Sequence, residues 1–183
     1  MIYQLSLQTM GVAAGLALVI FHAAGLINIP ASIQVVRRFP RSRPAGTILL
    51  LIAAAWSFLL VKEIDLGEFS KLRGVMLIGI AAGAVLSWIY VEEFLAVRAL
   101  GMLLLLCAEP TLESAMLRTE PSRLLLVILA YGWIVGGLFF VGMPYLLRDA
   151  IKILSSSHLI WRSAALAGLV YGAVLLAASL LWW

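Results

Sequence analysis

Charge is scarce in this sequence. Asp, Glu, Lys and Arg make up 12% of its 183 residues, about half the share of an ordinary soluble domain. The shortage excludes a water-soluble globule, because the 64% of residues that are apolar fall in runs near the ~20 residues that cross a bilayer. Cysteine is nearly absent. The single Cys107 excludes an intrachain disulfide and any cysteine-rich metal cluster. Aspartate occurs only at Asp65 and Asp149, and histidine only at His22 and His158. No C-x-x-C, G-x-S-x-G, paired-histidine or phosphate-loop motif is present. No segment alternates apolar and polar residues as a transmembrane barrel strand would. The opening "MIYQLSLQTM" lacks a basic side chain, so the first apolar run reads as a membrane helix and not a cleaved leader.

What remains, with a mean hydropathy of +1.10, is an all-α polytopic transmembrane helical bundle forming a single integral membrane domain over residues 1–183. The runs predict spans at about 9–29, 45–61, 74–91, 95–108, 123–143 and 163–183. There are six, or five if 95–108 does not cross, since about 14 residues is short for a crossing. Charge bias favours six. The segment "RRFPRSRP" carries Arg37, Arg38, Arg41 and Arg43, and the segment after Pro144 carries Arg148 and Lys152. The positive-inside rule places both on the cytoplasmic side, which requires an even number of crossings between them. Both termini then lie on the opposite side, in what reads as a bacterial-type inner membrane. These six cations are expected to meet lipid head groups. Leu146, Leu147, Ala150, Ile151 and Leu154 share one helical face, so 145–161 is expected to hold a short amphipathic interfacial helix between the last two spans. An offset of 114 aligns Pro30 with Pro144 and Arg38 with Lys152, a faint internal repeat.

Glycine is plentiful and patterned. Gly11 and Gly15, Gly79 and Gly83, Gly132 and Gly136, and Gly168 and Gly172 each form G-x-x-x-G, a spacing that lets membrane helices approach closely. His22 falls on the Gly11–Gly15–Leu18–Gly25 stripe and is expected to point at a neighbouring helix.

Polar groups within apolar surroundings are the candidates for function. Glu92, Glu93 and Arg98 lie between the third and fourth runs. Two glutamates followed by an arginine resemble the first motif of CAAX-type intramembrane proteases. That motif, however, has three residues between glutamate and arginine, where four separate Glu93 from Arg98. It also needs two later membrane histidines, and only His158 follows. No residue is carried over. Glu93 and Arg98 are about 140° apart on a helix, so they cannot pair along one face. Glu109 and Glu113 read as solvated, with Thr111 as an N-cap. No metal or cofactor is expected, and the net charge of +4, spread over short loops, does not suggest nucleic acid. The sequence therefore predicts a non-catalytic accessory, scaffold or assembly subunit. Its expected partners are the lipid bilayer and either other membrane subunits or further copies of itself. The alternative is a small transporter or channel using Glu92, Glu93, Arg98 and His22 as an intramembrane polar site.

Overall fold

A computed structural model describes residue 3, residues 5–91 and residues 93–183. The described residues form helices and no strand. They are α1 (Leu7–Ile27), α2 (Ile29–Arg38), α3 (Arg43–Glu63), α4 (Arg73–Tyr90), α5 (Leu95–Ala115), α6 (Arg123–Gly142), α7 (Tyr145–Leu154) and α8 (His158–Leu181), with 3-10 turns at Phe39–Arg41 and Gly67–Leu72. Six helices are long and apolar enough to cross a membrane.

Local chemistry sets most of the boundaries. The Ser6 side chain accepts from the Thr9 amide at 3.0 Å and opens α1. Asn28 ends α1 and begins α2, its Oδ1 accepting from the Ala31 amide at 3.2 Å. Pro30 therefore sits in the first turn of α2, where its missing N–H costs nothing, instead of merely stopping the first span. Ser42 and Ser157 cap α3 and α8 in the same way.

The helix that looked too short to cross is the centre of the bundle. α5 continues through Pro110 to Ala115, and 44% of its apolar stretch is buried, more than in any other candidate span. It packs chiefly against α6 and α3. Its buried residues are mostly small, among them Ala96, Ala99, Gly101, Ala108, Ser114 and Ala115. Small side chains allow backbones to close up: a Cβ on Gly101 would lie 2.8 Å from the Gly137 carbonyl oxygen, and one on Gly137 would lie 2.8 Å from that of Gly101. On the α3 side, a Cβ on Gly46 would lie 2.8 Å from the Ala96 amide nitrogen. Thr111 is not a cap. It is buried inside α5, where its hydroxyl donates to the Cys107 carbonyl oxygen at 2.6 Å.

A second pair, α1 and α8, packs along its length. Tyr171 of α8 fastens this pair to α6 by donating to the Leu125 carbonyl oxygen at 2.6 Å. α4 is peripheral. Among the long helices it packs chiefly on α3, and none of its apolar stretch is buried.

Two ten-residue helices, α2 and α7, follow the first and fifth long helices and touch each other. α1–α2–α3 and α6–α7–α8 thus share one order: long helix, short helix, long helix. The sequence pointed to α7, whereas α2 was hidden in a stretch read as a basic loop.

Candidate functional site

α5 runs the length of the bundle and carries polar groups near both ends. At its start Phe94 adopts a left-handed conformation (φ 59°), which turns the chain sharply between α4 and α5. One turn on, Arg98 donates through an Nη to the Val141 carbonyl oxygen of α6 at 3.1 Å. Its Nε is buried and without a hydrogen-bond partner among the described residues. The guanidinium of Arg148 lies over the Phe94 ring, 5.9 Å from its centroid. Arg148 also pairs with Asp149 at 2.8 Å. Glu93 is exposed, and Glu92 lies outside the described residues.

His22 sits elsewhere. Its Nδ1 is 2.8 Å from the Leu18 carbonyl oxygen, and its ring rests against Gly168 of α8. A carbonyl oxygen can only accept, so Nδ1 carries the hydrogen. Among the described residues no hydrogen bond or ion pair joins His22, Glu93 and Arg98. The two helix residues belong to different pairs, α1–α8 for His22 and α5–α6 for Arg98. Nor do three His, Cys, Asp or Glu side chains gather into a metal-binding group among the described residues.

The short helices lie at the Arg98 end. Arg37 of α2 donates from Nε to the Ser155 hydroxyl and from an Nη to the Ser155 carbonyl oxygen, both at 2.8 Å, which ties α2 to the end of α7. By chain position the described residues of this end include Arg37, Arg38, Arg41, Arg43, Arg98, Arg148, Lys152 and Arg162 against Glu93 and Asp149. The other end holds Lys62, Lys71, Arg73, Arg118 and Arg123 against Glu63, Asp65, Glu68, Glu109, Glu113 and Glu120. The bundle is therefore strongly basic at one end and close to neutral at the other.

At the near-neutral end the extension of α5 creates a feature that sequence reasoning missed. Glu109 and Glu113, one helical turn apart, line an open cleft of about 660 Å³ with Arg123 and Tyr131 of α6 and apolar walls from Leu105, Leu112, Val127 and Ile134. Arg123 donates to the Ala115 carbonyl oxygen at 3.0 Å and braces the α5–α6 turn. Next to the cleft the Tyr3 amide is 3.5 Å from a Glu113 carboxylate oxygen, and its hydroxyl accepts from the Trp56 indole at 2.6 Å. Burial raises the Tyr3 phenol above its ordinary pKa; the indole hydrogen bond lowers it, and Glu109 and Glu113 add to the rise. The i, i+4 spacing of the two glutamates was visible in the sequence. A fourth run that ends at 108, with Thr111 as a cap, leaves the two solvated and not on one face of a longer helix.

The four G-x-x-x-G pairs divide into two groups. Gly11, Gly15, Gly168 and Gly172 are packed at the α1–α8 seam: Gly11 lies against Ser179 and Trp183, Gly168 against His22, and Gly15 and Gly172 against each other, where a Cβ on either would lie 3.1 Å from the other's carbonyl oxygen. At Gly79, Gly83, Gly132 and Gly136 an added Cβ would meet nothing within 4 Å among the described residues. Comparison with known protein families, with curated proteins and with solved structures finds no match.

Proposed function

We propose that the chain is an integral membrane protein that acts by helix docking and not by catalysis, as an accessory or assembly subunit. The reading is carried by α4. Leu77, Ile80, Ala84 and Ser87 form its half-buried stripe, while Gly79 and Gly83 are exposed, about 100° further round the helix. In a bilayer, where apolar side chains gain little by leaving lipid, an open glycine face is where another backbone can approach and gain packing. Gly132 and Gly136 on α6 offer a second such face. The partners are other membrane subunits or further copies of the chain. The strongly basic end faces the cytoplasm of a bacterial-type inner membrane, and the segments before α1 and after α8 lie on the far side. The exposed α2–α7 cations meet lipid head groups there, and α7 lies in the interface.

The test is the mass of the particle extracted in mild detergent. A discrete complex is expected. Leucine at both Gly79 and Gly83 should release the chain from that complex without lowering its melting temperature. A wild-type chain that emerges alone, with only detergent and lipid, would sink the reading.

The cleft at Glu109, Glu113 and Arg123 supports a second reading, a small transporter or channel. It would use those residues instead of Glu92, Glu93, Arg98 and His22; among the described residues no hydrogen bond or ion pair joins His22, Glu93 and Arg98. Cation flux into proteoliposomes that is abolished by Glu109→Gln would favour it over docking. Flux unchanged by that substitution would remove the cleft from the argument.

A further inference from the structure

We infer that α2 and α7 together form a two-helix clamp for the phosphates of anionic lipids in the leaflet they face, with Arg37 serving as the internal strut of the clamp. The inference rests on the reading of the chain as membrane-spanning. It assigns the cations of this end to different roles.

Arg37 uses its guanidinium on the hydroxyl and carbonyl oxygens of Ser155. A fork bonded twice to one partner fixes geometry as well as distance, so Arg37 holds α2 beside α7. Arg148 is occupied by Asp149 and Phe94. Arg38 at the end of α2, Arg41 just after it, Lys152 on α7 and Arg162 on α8 are exposed and make no hydrogen bond or ion pair with any described residue. The strut holds α2 beside α7, and by chain position these four cations, two from each half of the chain, lie at this one end of the bundle.

The occupant follows from charge and from the apolar neighbours. Val35 of α2 and Ile153 of α7 are 68% and 65% exposed, next to or within one turn of Arg38 and Lys152. An aqueous anion or an acidic protein surface would satisfy the cations and leave those side chains in water. A phospholipid offers phosphate to the cations and acyl chain to the apolar tips at one depth, which is the environment that amphipathic interfacial helices occupy. At the near-neutral opposite end five cations are matched by six carboxylates.

The test uses the full chain in nanodiscs of phosphatidylcholine mixed with phosphatidylglycerol, followed by native mass spectrometry of the lipids it retains. The wild type should keep phosphatidylglycerol well above its share of the bilayer. Each of Arg38→Gln and Lys152→Gln should reduce that retention about fivefold, the scale of one basic side chain at an anionic surface, and Arg38→Lys should restore it. Lys62→Gln with Arg118→Gln, at the other end, should leave it unchanged. Equal loss from the Lys62/Arg118 variant, or no preference for phosphatidylglycerol in the wild type, overturns the clamp while leaving the membrane reading in place. A wild-type chain that does not enter bilayers at all overturns the membrane reading itself.

Discussion

The imidazole of His22 on α1 occupies the space that a Cβ on Gly168 of α8 would need. The Leu18 carbonyl holds the ring by its Nδ1–H, so the ring cannot swing away without losing that bond. Histidine and glycine therefore form a knob and a socket. Gly168→Ala should destabilise the chain by about 1–3 kcal/mol, the usual range for overpacking, seen as a lower melting temperature in detergent. His22→Ala combined with Gly168→Ala should recover most of the loss, since the two sites share one space. A Gly168→Ala chain that melts like the wild type would contradict the α1–α8 contact.

Glycines of the same sequence type should respond in opposite ways. Alanine at Gly101 or Gly137 drives a methyl against the other helix's backbone, and each substitution is expected to cost at least ~1–3 kcal/mol. Alanine at Gly79 or Gly132 meets open space. It should be neutral or stabilising by up to ~1 kcal/mol, because alanine is the better helix former. Melting temperatures of the four single variants decide this, and a uniform response would reject the division.

Arg37→Ala and Ser155→Ala should each loosen α7. Because Arg37 is exposed, water and salt screen its bonds, and a double-mutant cycle should give a coupling of only ~1 kcal/mol. Amide hydrogen exchange in α7 should quicken in both single variants and no further in the double. Independent, additive effects would mean that the two residues do not act together.

Tyr171→Phe removes the hydroxyl bond from α8 to the Leu125 carbonyl with little change of shape. A loss of ~0.5–1 kcal/mol is expected, as for other hydrogen bonds between apolar helices. A larger loss would indicate that this bond organises the α6–α8 junction.

Much of the fold was legible because a long apolar run has few alternatives to a helix. The bounds of α1, α3, α4, α6 and α8 fall close to the expected spans. α2 was not legible. Four arginines within seven residues dominate that stretch and conceal the apolar face of its first ten residues. α5 was truncated for a related reason. Glu109 and Pro110 look like an exit from the membrane, but here a helix continues through them, with Thr111 bonding back to the Cys107 carbonyl. The candidate polar residues were identifiable by type, but whether His22 and Arg98 would meet depends on helix packing, which local patterns do not encode. The two pack in different helix pairs.

The sequence by itself determined the apolarity and approximate positions of most of the long helices and the charge of each connecting segment. These depend on residues near one another in the chain. Only the tertiary structure decided which helix is central, which glycines are packed and which are open, and that α2 and α7 lie side by side at a strongly basic end. These depend on which surfaces meet. Gly15 and Gly79 stand in the same local pattern, and they differ because one has the backbone of α8 against it and the other has nothing.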